Sequence, residues 1–249
     1  MLVSRTRLRV GSEGRLTKRR AGQPALAVCS RAAGIMGESK KQIWSAAIEA
    51  FEDGAHAVLE QACRRFIELD PDSFPARMLL AHALLKMKRF SEAADLLEGA
   101  NPTDERAVVL WHRTAGDYYC ERGDYEAAED EYASALAVVD VQTSDLVLDL
   151  VEVRIDQGHN EAALRAIDTF LRRAETVGDP RELVDDAELL AFAKARALRN
   201  LGRYPEALAF ARDAAAVPDG FPAAASLVDE LERRIELEGA AANDGVNLN

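Results

Sequence analysis

Four carboxylates of the sequence could together recognise a positively charged group. They are spaced by 4, 3 and 4 residues, which puts all of them on one face of a helix: Asp145, Asp149, Glu152 and Asp156. Like charges at this spacing destabilise an isolated helix by about 0.2–0.5 kcal/mol per pair, so the arrangement suggests a compensating use. A solvated helix face is the alternative. We interpret the four carboxylates as a binding face for a basic or amphipathic segment of another protein.

The residues that most often bind metals or act as nucleophiles are scattered. The four histidines lie far apart and form no HxxxH or HxxE pair: His56, His82, His112 and His159. The three cysteines form neither a disulfide framework nor a metal-ligand spacing: Cys29, Cys63 and Cys120. Neither a GxSxG motif nor a GxxxxGKS/T motif is present. We predict no metal site and no cofactor, and the cysteines favour a reducing compartment.

The charge of the chain is unevenly distributed. The net charge is −12, but residues 1–35 carry eight basic side chains and one acid, which leaves −19 on the rest. An acidic body argues against binding of nucleic acid, because phosphate contacts need clustered Lys and Arg. It permits basic protein partners. No apolar run approaches 18 residues, so we predict no transmembrane span.

Residues 1–35 differ from everything that follows, and we predict a disordered basic tail there. They are rich in arginine and lack helical periodicity. An over-extended start, with translation from Met36, is one interpretation. The alternatives are an organellar transit peptide, a secretory or lipid-anchor segment around Cys29, and a functional basic arm. We expect a cytoplasmic protein, or an organellar or membrane-associated one if these 35 residues are a targeting signal.

A helix–turn–helix pattern recurs along the chain. Gly123, Ala128, Tyr132 and Ala135 mark it best. Aligned copies place five mid-helix residues at equivalent positions: Leu59, Ala93, Ala128, Ala163 and Ala207. The successive gaps are 34, 35, 35 and 44 residues. We expect Gly116 and Ala128 to lie where two helices cross closely, and Gly123 to end a helix with a positive φ.

The period near 34 residues and the helix–turn–helix unit resemble the tetratricopeptide repeat family over about residues 40–218. The copy around Ala128 matches best, and the first copy is the weakest. The gap of 44 residues implies an insertion of about ten residues near 172–186. The resemblance implies an all-α fold, a right-handed α-solenoid of about five helix–turn–helix repeats. We predict a C-terminal capping helix at 221–238 and a disordered tail at 239–249.

The resemblance also implies where a partner would bind. In this family the first helix of each repeat lines the concave groove of the superhelix, and peptides or partner helices bind there. The matching candidate partner-binding residues extend the acidic face and add an apolar group: Asp117, Glu121, Asp145, Asp149, Glu152, Asp156, Trp44, Met78 and Leu79. The alternative role for Trp44 is to cap the first repeat.

A scaffold or adaptor for protein–protein interaction is therefore the function that the resemblance implies. Repeats and cap use nearly all of the ordered chain, which leaves no room for a catalytic domain, so we expect no enzyme. One subclass of the family clamps acidic chaperone tails with basic side chains, and these are missing at the matching positions. Two alternatives are a membrane-anchored assembly subunit and a sensor of a small ligand or peptide.

Overall fold

A computed structural model describes residues 6–10, 16–20, 39–138, 144–177, 187–217 and 220–246. In these ranges the chain forms eleven helices and one two-stranded sheet. The helices are α1 (Lys40–Glu52), α2 (His56–Leu69), α3 (Phe74–Lys86), α4 (Phe90–Glu98), α5 (Glu105–Arg122), α6 (Tyr125–Val138), α7 (Ser144–Asp156), α8 (Asn160–Val177), α9 (Ala187–Asn200), α10 (Tyr204–Ala215) and α11 (Pro222–Val246). The chain divides into two compact units, Met1–Asp140 and Val141–Asn249.

The helices pair as helix–turn–helix repeats. In the first unit α1 packs on α2, α3 on α4 and α5 on α6, and both α2 and α5 pack on α3. In the second unit α7 packs on α8 and α9 on α10, while α9 also packs on both helices of the preceding pair. The last helix, α11, covers α10. The repeat array is therefore all-α, as predicted, with five helix pairs in the described ranges.

The helices begin at residues that satisfy their first N–H groups. Ser39 and Gln42 form a capping box at the start of α1, in which the Ser39 N–H donates to Gln42 Oε1 at 2.8 Å. The Asp104 side chain accepts from the Ala107 N–H at 2.9 Å and caps α5. Pro205 lies in the first turn of α10, where a missing N–H costs nothing.

The turn inside each repeat contains one residue in the left-handed region. The φ angles lie between 62° and 80° at the five equivalent positions: Gly54, Lys88, Gly123, Gly158 and Gly202. The positive φ predicted for Gly123 is confirmed. Lys88 is the exception, because among the described residues it is the only non-glycine with positive φ. The side chain there costs conformational energy that the four glycines avoid.

The small mid-helix residues form the centre of each repeat. All five aligned positions have no exposed surface: Leu59, Ala93, Ala128, Ala163 and Ala207. The residues four positions later are buried as well: Cys63, Leu97, Tyr132, Ile167 and Ala211. The repeat register derived from the sequence is therefore confirmed.

The close helix crossing predicted at Gly116 is present. A Cβ atom at this position would lie 2.5 Å from Cε1 of Tyr132, closer than such atoms can approach. Gly116 in α5 and Tyr132 in α6 are both buried. The absent side chain therefore makes room for the tyrosine ring of the partner helix.

Three segments outside the regular repeats differ from what the sequence patterns suggested. Thr6–Val10 (β1) and Leu16–Arg20 (β2) pair antiparallel, where we predicted a disordered tail. The cause is the alternation of basic with apolar or β-branched residues in TRLRV, a period of two that favours a strand. The helix α11 continues to Val246, beyond the predicted end at residue 238, through a run of alanines with high helix propensity. Part of the predicted insertion lengthens α8 to 18 residues, and 178–186 lies outside the described residues.

Replacing Gly116 by alanine tests the close crossing. Because the new Cβ would collide with the ring of Tyr132, we expect Gly116→Ala to lower the free energy of unfolding by about 1–3 kcal/mol in urea melts. Helix propensity alone would favour alanine by about 1 kcal/mol, so the sign of the change separates the two effects. Gly239→Ala is the matched control, since this helical glycine has no atom within 4 Å of an added Cβ. Stabilisation by both substitutions would contradict the crossing.

Two substitutions at Lys88 isolate the energy of its left-handed backbone. Lys88→Gly and Lys88→Ala both remove the ammonium group, but only glycine adopts a φ of 62° without strain. We expect the glycine variant to be more stable than the alanine variant by about 1 kcal/mol. Gly123→Ala should lose a similar amount, because it places a Cβ at a φ of 80°. Equal stability of the two Lys88 variants would show that the turn relaxes.

Candidate functional site

Polar side chains one repeat apart connect the first helices of the second and third repeats. His82 of α3 faces Asp117 of α5, and Lys86 of α3 faces Glu121 of α5, with a separation of 35 residues in each pair. This separation equals the repeat period. Asp117 and Glu121 therefore lie between two repeats, in contact with basic side chains of the preceding one.

Asp117 is held by two side chains. Its Oδ2 lies 3.2 Å from Nδ1 of His82, and its Oδ1 accepts a hydrogen bond of 2.8 Å from the hydroxyl of Tyr132. Burial alone would raise the pKa of Asp117, but the hydrogen bond and charge of His82, with the charges of Lys86 and Arg113, hold that pKa well below its usual range. The carboxylate is therefore charged and compensated within the chain.

Glu121 is held by two lysines. Nζ of Lys86 lies 2.7 Å from one carboxylate oxygen, and Nζ of Lys88 lies 2.5 Å from the other. Burial would raise the pKa of Glu121, but the hydrogen bonds from the two ammonium groups outweigh it and lower that pKa. In the structure both acids form contacts between repeats. Direct binding of a partner by Asp117 and Glu121 stays a prediction.

The apolar candidates lie mostly in the core. Met78 is 1% exposed and packs with Leu97 and Ala115, so it offers no surface to a partner. Leu79 is half-buried against the core of the first two repeats. The half-buried ring of Trp44 contacts that of Phe66, with centroids 5.0 Å apart.

An exposed aromatic residue of the first helix was not among the residues predicted from the sequence. Phe51, at the end of α1, is 43% exposed, and its ring lies 5.0 Å from that of His82. The available signal was its spacing, since Phe51 follows Trp44 by seven residues and lies two helical turns further along α1.

The four regularly spaced carboxylates of α7 lie on the side of that helix that is not fully buried. Eight residues of α7 are buried: Ser144, Leu146, Val147, Leu148, Leu150, Val151, Val153 and Ile155. The accessible residues are the four acids and one arginine: Asp145, Asp149, Glu152, Asp156 and Arg154. The predicted common face is therefore present, and we call these four carboxylates the acidic stripe. Nearly the whole of the remaining circumference of α7 packs inside the protein.

Arg196 of α9 contacts one end of the acidic stripe. Its guanidinium lies 2.5 Å and 2.7 Å from the two carboxylate oxygens of Glu152, and 3.7 Å from Oδ1 of Asp156. The side chains of Arg196 and Glu152 are only 14% and 13% exposed. This pair follows the same rule as the pairs of the first unit, because its 44-residue separation equals the last repeat gap.

Three other features of the described part of the chain bear on function: metal-binding clusters, membrane-spanning helices and cavities. The described residues contain no cluster of three or more His, Cys, Asp or Glu side chains that could hold a metal ion. None of the helices described has the length and apolar content needed to cross a bilayer. An apolar cavity of about 420 Å³ in the second unit lies between α8, α9 and α10, beside Ile167, Leu190 and Phe210.

The sequence matches two family models, both described as tetratricopeptide repeat, at residues 51–112 and 148–225. Together the two matches cover more than half of the chain. The sequence is also similar to Protein FlbA of Caulobacter vibrioides, at 31% identity over 136 residues. The aligned part is 55% of this chain and 21% of FlbA, so the chain spans about a fifth of the length of that relative.

Solved structures of low sequence identity share the fold. A tetratricopeptide repeat protein from Parabacteroides merdae superposes with a TM-score of 0.61 at 14% identity, covering 83% of this chain and 76% of that one. A thermophilic TPR protein of Thermus thermophilus gives 0.57 at 17% identity, covering 79% and 99%. The APC/C hetero-tetramer Cut9–Hcn1 gives 0.61 at 13% identity, covering 86% and 40%. At these identities the likeness shows the fold alone.

Removing the charge of Glu152 tests how strongly the repeats depend on its pair with Arg196. Because both side chains are largely buried, we expect Glu152→Gln to lower the free energy of unfolding by about 1.5–3 kcal/mol in urea melts. Glu232→Gln is the control, since the Arg212–Glu232 pair is 61% and 43% exposed and should contribute less than about 1 kcal/mol. Equal losses in the two variants would place the Glu152 pair among ordinary surface pairs.

Proposed function

Since the chain belongs to the tetratricopeptide repeat family, we propose that it is a scaffold or adaptor for protein–protein interaction. Repeats of this family generally mediate such interactions, and they typically act as non-enzymatic scaffolds. The proposal assigns no catalytic step to the chain. The partner of the chain is another protein, which presents a basic or amphipathic segment to the first helices of the repeats.

The acidic stripe of α7 is the observation that carries this proposal. The other residues of α7 are almost all buried, and of the four carboxylates Asp145, Asp149 and Asp156 keep exposed surface while Glu152 is only 13% exposed. The core explains the apolar residues of α7, but it does not require acids at every accessible position except Arg154. Recognition of positive charge is a use that fits both the residue type and the spacing.

The electrostatics of the stripe favour fast and selective association. Opposite charge steers a partner during its approach, and it affects the association rate and specificity more than the final affinity. Salt screens this effect with a Debye length of about 8 Å at physiological ionic strength. Arg196 compensates part of the charge at Glu152 and Asp156, so the field of the stripe is weaker than that of four isolated carboxylates.

The buried thiols support a reducing compartment, and the proposal places the protein in the cytoplasm. Cys63 and Cys120 are both buried, and neither forms a disulfide within the described residues. Burial raises the pKa of Cys63 to about 12, so its thiol stays protonated and unreactive at neutral pH. Cys63 then acts as a small apolar group of the core.

A peptide library panned on residues 1–249 tests the partner chemistry. We expect the selected peptides to be enriched in Lys and Arg at helical spacing. Association of the best peptide should be roughly three- to tenfold slower with the Asp145→Asn, Asp149→Asn double variant at low salt. The difference should shrink at high salt because added ions screen the stripe. Stopped-flow fluorescence with a labelled peptide measures both rates.

Glu161→Gln with Glu175→Gln is the matched control, because it removes the same charge from exposed positions of α8 in the same unit. We expect this control to associate at nearly the wild-type rate, and circular dichroism should show unchanged helicity in both double variants. Peptides without a basic bias, or equal rates for the two double variants, would show that the acidic stripe is only a solvated surface.

A further inference from the structure

Two histidines meet where the first repeat packs on the second. His56 is the first residue of α2, and its ring centroid lies 6.1 Å from that of His82 in α3. The ring of His82 also contacts that of Phe51 at the end of α1. One imidazole pair therefore lies at the junction of three helices.

The surroundings of His56 disfavour a positive charge. Its Nδ1 is buried, and no atom in the described part of the chain forms a hydrogen bond with it. His56 also begins a helix, where the unpaired N–H groups create a positive potential. Burial, followed by the charges of His82 and Lys86, lowers the pKa of His56, and the charge of Glu121 opposes this only in part.

The two acids of α5 that could stabilise a charged His56 already contact other basic side chains. The ionisable groups near the junction are these: Glu52 and Asp53 at the end of α1, His82 and Lys86 on α3, Lys88 in the following turn, and Asp117 and Glu121 on α5. Asp117 contacts His82, and Glu121 contacts both lysines. A proton on His56 would therefore add a cation beside His82 and Lys86, while both acids of α5 are engaged with other groups.

We propose that the His56–His82 contact is an acid-sensitive junction, at which protonation of His56 loosens the packing of α1 and α2 on α3. When this packing opens, water reaches the imidazole of His56 and the added charge is solvated. Opening also separates apolar residues that α2 and α3 bury between them, such as Leu59 and Leu80. Acid would thus increase local opening of the first repeat before the rest of the chain unfolds.

The sign of the effect follows from proton linkage. Because folding lowers the pKa of His56 below its ordinary value of 6.5, the open state binds a proton more readily than the packed state. The contribution of neutral His56 to packing is therefore complete above about pH 6.5 and is lost as the pH falls through the lowered value. Asp117 and Glu121 affect stability at lower pH than His56 does. Their pKa values are depressed, so stability is lost only when these carboxylates become protonated.

Hydrogen exchange of the chain (residues 1–249) at pH 7.5 and pH 5.5 tests the junction. We expect peptides from α1 and α2 to lose protection at the lower pH, after correction for the intrinsic exchange rate. Because one proton is linked to opening, the loss is at most about tenfold per pH unit. Peptides from α9 and α10 serve as an internal reference and should keep their protection. Equal protection of α1 and α2 at both pH values would overturn the proposal.

Substitution of His56 identifies the responsible group. In His56→Gln, which cannot be protonated, the acid-induced loss in α1 and α2 should disappear. The same loss in the variant and the wild type would overturn the proposal, since another group would then be titrating. His159→Gln is the matched control, because this exposed histidine lies in a turn of the second unit, and its replacement should leave the acid response of α1 and α2 unchanged. If His56→Gln does not fold, His56→Asn is compared in its place, with the same two outcomes.

Discussion

Close contact between the two helices of a repeat is the constraint on which the rest of the structure depends. The mid-helix residues of the five second helices have no exposed surface: Leu59, Ala93, Ala128, Ala163 and Ala207. Four of these five residues are alanines. In the third repeat the first helix contributes Gly116, which has no side chain, and the ring of Tyr132 from the second helix fills the space beside it. Because protein interiors pack as densely as organic crystals, this contact fixes the distance between the helices. A left-handed residue between the helices then closes each turn at the same place.

Repetition of this fixed unit determines what the first helices can do. Because the repeats recur at a regular period, residues one period apart can become neighbours on successive first helices, as with His82 and Asp117. Each first helix therefore has one side packed on its own partner helix and another in contact with the adjacent repeat. Polar residues on the second side stabilise the stack where opposite charges face each other. The resemblance to the family implies that these same residues bind a partner.

The sequence was sufficient for the fold because the repeat signal occurs five times. Gly123 and Ala128 predicted a turn and a crossing that the structure confirms, and the other copies fixed the register. The site was harder to predict, because position alone does not say whether a carboxylate faces solvent or a cation from the previous repeat. Opposite charges 34–35 residues apart are the sequence signal of such a contact, as for Lys86 and Glu121. The burial of Met78 follows from packing around Leu97 and Ala115, which helical spacing within α3 does not reveal.

The two units use different basic side chains at equivalent contacts between repeats, and this separates the two proposed properties of the chain. In the first unit the contact joins the imidazole of His82 to Asp117. In the second unit Arg196 occupies the equivalent place, and a guanidinium keeps its charge at any physiological pH. The described histidine of the second unit, His159, is exposed in a turn. Acid sensitivity at the His56–His82 junction and recognition of a basic segment by the acidic stripe are therefore assigned to different units.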